Sequence, residues 1–556
     1  MLSSFAADLS APSSRTQEPD YRPPRPPSAS AAHDVVDWIA NYMEACASGS
    51  PPFSVQPDDK VVRPGWLHAV LPPDAPDAPE PWSDVMSDFQ STVLPGVTHW
   101  QHPRFLAYFP ANASGPGVLG EMLSAALNVV GFSWVGAPSC TELEEVSCDW
   151  AAGLLGLGDA FRHRTSSGEA PAAPGGGGVI QGTASEAACV ALLAARCARL
   201  GPPSARGGSI AANATDQGER AARLVVYCSD QAHSCVRKAA MVCGVGHVRE
   251  VPANSDTLSL EPAALAAALE SDAAAGLEPL MVVASVGTTG AGAVDDVAGL
   301  GRVCQQHRWG PDADQPLWLH VDAAYAGSFF VSPEFRSING AHAGVVDAAD
   351  SFDFNPHKGL LTNFDCSLLF VRDRIPLVEA LTLTPAFLQN RATASGGVVD
   401  FKDWQIPLGR RMRSLKLWAT MRCYGRDGLQ AHVRRAARHA RSIEERARAD
   451  PRFALCGAAG AKGDGDGAFG LACVRLVVPG DDDGAQGDAA TRALLEAVNA
   501  SGDIFVTHAI LRGRYALRLA FGGTHTRDAD ADVTWAALES RADAALAAAG
   551  AGKLAD

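Results

Sequence analysis

Lys358 stands in Asn355-Pro356-His357-Lys358, at the end of an apolar stretch and just before Leu360-Leu361. Taken alone, a lysine is most often a solvated surface charge. In an apolar setting its ammonium loses hydration and its pKa falls, and the free amine can then form a Schiff base with an aldehyde cofactor. Asp322 lies 36 residues upstream, in His320-Val321-Asp322-Ala323-Ala324-Tyr325, directly after a strand-like run. A carboxylate at the C-terminal end of a buried strand sits where α/β folds bind ligands, and it could hold a proton on a cofactor's ring nitrogen. It could equally cap the helix that follows.

Gly182-Thr183-Ala184-Ser185-Glu186-Ala187 follows the strand-like Val179-Ile180 and opens a helical run over 187–199. Small residues there let backbone N–H groups and hydroxyls approach a phosphate at the positive end of a helix. An acidic chain can bind an anion in this way. His233, in Ser229-Asp230-Gln231-Ala232-His233-Ser234, and Gly287-Thr288-Thr289 each follow another strand-like run. Such a histidine can stack on a cofactor ring, or serve as an ordinary hydrogen-bonded core residue.

These groups need a scaffold that brings strand ends together. Short apolar runs over 224–228, 280–286, 317–321 and 367–371 alternate with Ala-rich helical runs. Strands buried on both faces with helices between them predict an α/β layered fold around a mostly parallel sheet. Val35, Val36, Ile39, Tyr42 and Met43 have helical spacing, and the proline-rich stretch 72–81 then interrupts regular structure, so an N-terminal helical arm is expected. Beyond about residue 430, a long Arg/Ala helix over 429–449 leads into a smaller C-terminal α+β domain. The Ser/Pro/Ala-rich start reads as a disordered tail, with a transit peptide as the alternative.

Composition narrows the partners. In 556 residues the formal charge is −16, with 19% charged and 47% hydrophobic residues, and no run of about 18 apolar residues could span a bilayer. Nucleic-acid binding needs clustered Lys and Arg, so neither a nucleic acid nor a membrane is an expected partner. The 13 cysteines lack any Cys-x-x-Cys pair, which suits free thiols in a reducing, cytoplasmic setting. No metal is expected: His99 and His102 are spaced for one, but no nearby acidic residue or cysteine completes a set. The glycine runs over 175–178 and 457–470 lack a full nucleotide-binding pattern and read as turns or mobile loops.

The order of motifs, phosphate loop, His, Thr, Asp, Lys, resembles the group II decarboxylases that depend on pyridoxal 5′-phosphate (PLP), in particular the aromatic-L-amino-acid decarboxylases. The likeness runs from about His33 to Leu546 and includes Pro64-Gly65-Trp66-Leu67, Gly131-Phe132-Ser133-Trp134 and Thr141-Glu142-Leu143-Glu144. It implies PLP fold type I: a tail over 1–32, a helical arm over 33–114, a large PLP-binding domain over 115–432 and a small domain over 433–550, assembled as a homodimer with shared sites. It further implies that Lys358 carries the cofactor, Asp322 pairs with the ring nitrogen and His233 stacks on the ring. Ala184, Ser185, Asn355 and His357 would lie at the phosphate, with Thr289 and Asp295 in support. Trp100, Tyr108, Phe109 and Phe132 resemble the pocket for an aromatic substrate ring, with Gly409 at a position associated with ring choice.

Three departures stand out. Gly359 replaces the usual aromatic residue after the lysine, and Ala111 replaces a common Thr or Ser. The third concerns a mobile-loop tyrosine, for which Phe387 stands here, 17 residues before Trp404. Phenylalanine cannot donate a proton to the carbanion left by CO₂ loss. The expected chemistry is therefore reaction with O₂ to give an aromatic acetaldehyde, CO₂, ammonia and hydrogen peroxide, with amine formation as the alternative.

Overall fold

The computed structural model describes residues 28–48, 54–57, 62–169, 175–202, 214–309, 315–383, 385–458, 469–481 and 483–551. Most of the expected N-terminal tail and most of the 457–470 glycine run lie outside these. The first helix is Ala29–Ala47, so residues 29–32, expected in the tail, are helical. Residues up to 45 and 59–96 form one compact unit, which holds most of that helix together with Trp66–Val70 and Trp82–Asp88. Residues 46–58 and everything from 97 onward form the second unit, which takes in the segment 97–114.

The second unit is built on seven strands: β1 Gly177–Gln181, β2 Leu224–Ser229, β3 His247–Val251, β4 Glu278–Ser285, β5 Trp318–Asp322, β6 Ser351–Phe354 and β7 Ser367–Val371. Their spatial order is β1-β7-β6-β5-β4-β2-β3. Pairing is parallel from β6 through β3 and antiparallel on both sides of β7. Two antiparallel steps through β7 return β1 to the direction of β6. The C-terminal ends of β1, β2, β4, β5 and β6 thus share one edge of the sheet, where ligands bind in such folds. Apolar runs such as Leu224-Val225-Val226-Tyr227 are buried throughout because helices cover both faces.

One expectation is corrected here. Gly177 and Gly178 are part of β1, not of a loop. A Cβ on Gly178 would come within 2.6 Å of the Phe370 ring, and one on Gly176 within 2.0 Å of the Ala160 carbonyl oxygen. The glycines are there because β1 packs too closely for side chains.

The long helix is Ser414–Ala449, beginning well before the expected 429. It is interrupted at Gly425, whose φ of 59° and ψ of −176° only glycine adopts without strain. The chain then forms an antiparallel sheet of Phe453–Leu455, Leu471–Leu476, Arg514–Ala520 and Thr507–Leu511, in that spatial order. Helices Ala485–Asn499 and Asp528–Ala551 contribute Leu494, Val498, Trp535 and Leu538 to the core that this sheet shares with Ala440 and Ile443.

Candidate active site

The strand ends enclose a cavity of about 200 Å³. Its wall takes Thr183, Ala184 and Ser185 from the turn after β1, His233 after β2, and Thr288 and Thr289 after β4. Asp322, Ala324 and Tyr325 come from the end of β5, and Asn355, His357 and Lys358 from the end of β6. Seven of the residues expected at a cofactor, Ala184, Ser185, His233, Thr289, Asn355, His357 and Lys358, therefore line one cavity with Asp322.

Lys358 lies on a single helical turn, Pro356–Gly359, held from the side by Asn112. The Asn112 amide side chain donates to the Lys358 carbonyl at 2.8 Å, and the Asn112 backbone N–H donates to the His357 carbonyl at 2.9 Å. The Lys358 ammonium sits 4.9 Å from the centroid of the Phe109 ring. Burial pushes its pKa down, and the nearby Asp322 and Asp353 carboxylates only partly oppose this. A desolvated amine of this kind is a competent nucleophile.

Asp322 is anchored through both oxygens. The Ala324 N–H donates to Oδ1 at 3.0 Å, and the Cys235 thiol lies 3.7 Å from Oδ2. Burial and the Asp322 charge together push the Cys235 thiol well up, so it is a neutral donor. At the other end of the cavity, the helix Ala184–Leu200 starts at Thr183, whose side chain makes no capping bond. The Ala184 and Ser185 N–H groups are thus open to an anion. His357 stands nearby, its Nδ1 accepting the Cys366 N–H at 3.0 Å and its pKa pushed down to about 3, mainly by burial. The neutral ring therefore offers an Nε2–H donor. Asn355 is buried, and its Oδ1 has no hydrogen-bond partner among the described residues.

His233 uses its Nδ1 to accept the Cys235 N–H at 3.2 Å, which leaves the neutral ring's hydrogen on Nε2. Burial lowers its pKa below the ordinary histidine value.

The aromatic residues divide. Phe109 does not itself line the cavity but stacks on Tyr325, which does, with centroids 4.0 Å apart. Tyr108, at φ 53°, turns the other way and stacks on Trp100 at 5.7 Å, in a group with Phe105 and Phe505. Trp100 is 41% and Tyr108 53% exposed. Phe132 is half-buried, its carbonyl accepting the Lys402 N–H at 2.9 Å. Phe387, in the short turn Ala386–Leu388, is 80% exposed, and Gly409 is exposed beside Val130. None of Trp100, Tyr108, Phe132, Phe387 or Gly409 lines this chain's own cavity.

Asp295 does not line it either. It is fully buried one layer back, accepting the Leu260 and Ser285 N–H groups at 2.6 and 2.7 Å, and burial pushes it up to about 7. Gly359 has no room for a side chain, since a Cβ would fall 2.5 Å from that of Ser328. Asn112, Cys235, Tyr325 and Phe364 complete the site and were not singled out from sequence. The neighbours of Asn112 and Cys235 come from distant parts of the chain, so no local pattern marks them. Among the described residues no cluster of His, Cys, Asp or Glu could hold a metal ion, and no helix is long and apolar enough to cross a membrane.

Residues 64–477 match the pyridoxal-dependent decarboxylase conserved domain. The chain is 41% identical over 518 residues to Tryptophan decarboxylase 2 of Oryza sativa subsp. japonica, covering 92% of this chain and 94% of the relative. It is 42% identical over 513 residues to Phenylacetaldehyde synthase of Arabidopsis thaliana, covering 92% and 94%. The crystal structure of Oryza sativa TDC with PLP and tryptamine superposes with a TM-score of 0.82 at 35% identity, covering 94% of this chain and 99% of that one.

Proposed function

Since this chain belongs to the pyridoxal-dependent decarboxylase family, we propose that it removes the α-carboxylate from an aromatic L-amino acid and that Phe387 directs the outcome to the aromatic acetaldehyde. The observation that carries the reading is one cavity shared by a desolvated amine, Lys358, a two-point-anchored carboxylate, Asp322, and an uncapped helix N-terminus at Thr183. These are the three groups that PLP requires, and Asn355 Oδ1 still lacks a partner there. Bound PLP supplies an electron sink for the pair released when CO₂ departs.

The residues divide the work. Lys358 Nζ is the amine that would hold the cofactor's aldehyde carbon. Asp322 would keep a proton on the ring nitrogen, Ala184, Ser185, Asn355 and His357 would hold the phosphate, and His233 would face the ring. Thr289 lends support, and Asp295 braces the backbone behind it. Phe109 lies on the lysine side of the pocket. Trp100, Tyr108, Phe132 and Gly409 would enclose the substrate ring across a homodimer interface, which would also cover their exposed surface. Free thiols throughout the chain fit a cytoplasmic setting.

The product depends on proton supply at the substrate Cα. His233 is a poor donor, because its Nδ1 already accepts a backbone N–H and its lowered pKa keeps it neutral near pH 7. With phenylalanine at 387, no acid on that loop replaces it. The overall reaction would be amino acid + O₂ + H₂O → aryl acetaldehyde + CO₂ + NH₃ + H₂O₂. Amine formation is the second reading, favoured by the similarity to a relative named tryptophan decarboxylase.

Product analysis in air with tyrosine, phenylalanine, tryptophan and dihydroxyphenylalanine tests both. The wild type should release H₂O₂ in step with CO₂, and Phe387→Tyr should shift product toward amine while CO₂ release continues. Amine alone from the wild type, without peroxide, would reject the aldehyde route and leave the decarboxylase reading intact.

A further inference from the structure

Behind Asp322 lies a row of polar groups that the chemistry at Lys358 does not use. Asp353 on β6 pairs in register with Asp322 on β5, and Ser351 pairs with His320 one step back on the same face. The Trp318 indole N–H donates to Ser351 Oγ at 2.9 Å, and Ser351 Oγ lies 2.9 Å from His320 Nδ1. Having accepted the indole N–H, Ser351 can give its own hydrogen to Nδ1. The imidazole hydrogen is thereby directed to Nε2, which lies 3.2 Å from Asp353 Oδ1. His320, Ser351 and Asp353 are all fully buried.

Two carboxylates side by side in a water-poor site repel, so one of them is driven to hold a proton. Asp322 has the Ala324 N–H and the Cys235 thiol as donors, and Lys358 close by. Asp353 has only the His320 Nε2 nearby at 3.2 Å, not aligned as a hydrogen bond, and no donor among the described residues satisfies its oxygens. Burial, then the Asp322 charge, pushes the Asp353 carboxyl up to about 7. The titratable groups around it are Asp322 and His320 on β5, Lys358 after β6 and Cys235 on the helix Cys235–Val242.

We propose that Asp353 is a positioning residue that holds a proton behind Asp322, leaving Asp322 as the single anion that faces the cavity. Its purpose rests on reading the cavity as the PLP site: a proton resting on Asp322 would turn the acceptor of a ring N–H into a donor. The proton's location does not depend on that reading, so the test can be made on the full chain before PLP is added.

The readout is the infrared C=O stretch of buried protonated carboxyl groups near pH 6, taken as a difference between wild type and variants. Asp353→Asn should remove a band that Asp322→Asn leaves in place. In the unfolded chain Asp353 ionises near its ordinary value of about 4. Between there and about 7 the folded protein holds an extra proton, so rising pH removes stability across that window and no further above it. Asn cannot ionise, and the thermal midpoint of Asp353→Asn should gain on the wild type by several degrees between pH 5 and 8. A band lost in Asp322→Asn and kept in Asp353→Asn would overturn the proposal, as would no band change in either. If Asp353→Asn does not fold, Asp353→Ser is read in its place, since it removes the same carboxyl group and should remove the same band.

Discussion

Asp322 and Lys358 face the same cavity, yet their loss should read differently. Lys358→Ala should abolish CO₂ release and also the absorbance of covalently held PLP, because no other amine among the described residues lines the cavity. Asp322→Ala should keep that attachment but slow turnover by at least about 10³-fold, the scale for losing a preorganised charge contact. Absorption spectra and CO₂ release on both variants separate the two roles. This much of the site was legible because each residue follows a strand-like run and ligand-binding groups gather at strand ends. Asp353 was not legible, because its importance comes from the neighbour that strand pairing gives it. Asn112 grips a backbone 246 residues away, which no local pattern encodes.

Among the elements, β1 and the helix Pro138–Leu155 are joined by a fully buried ion pair. Arg410 donates to Glu144 and, at 3.1 Å, to the Ile180 carbonyl, while Glu144 accepts the Ile180 N–H at 2.8 Å. Removing one partner strands the other charge in the core. Glu144→Ala should therefore cost about 3–5 kcal/mol, seen as a lower unfolding midpoint in thermal or urea scans. Strands buried on both faces were readable as apolar runs, and four of the seven were placed that way. The glycine-bearing start of β1 and the first half of the long helix were not. In both, glycine chosen for tertiary packing or for a backbone break imitates the punctuation of a loop.

At the level of the whole molecule, Phe387 and the Trp100–Tyr108 pair lie outside this chain's own cavity, so the proposed homodimer with shared sites makes a sharp prediction. In hybrids of Lys358→Ala with Phe387→Tyr, the only working lysine is on the Phe387→Tyr chain. If the loop serves the neighbouring site, that lysine meets the native Phe387 of the other chain. The hybrid should then return to aldehyde and peroxide, while the Phe387→Tyr homodimer makes mainly amine. Amine from tagged, purified hybrids would mean that each loop serves its own site.

The break at Gly425 divides Ser414–Ala449 into two helices in series. Leu417 and Met421, before it, and Leu429, Val433, Ala436 and Ala437, after it, belong to the core of the large sheet, and only from Ala440 and Ile443 onward does the helix enter the core of the C-terminal domain. A helix whose backbone angles break at one residue changes direction there, so Gly425 acts as a joint within the stretch that packs on the large sheet. A Cβ there would meet nothing within 4 Å. Even so, Gly425→Ala should lower the thermal midpoint, at about 1–3 kcal/mol, because its cost is borne by the backbone angle alone.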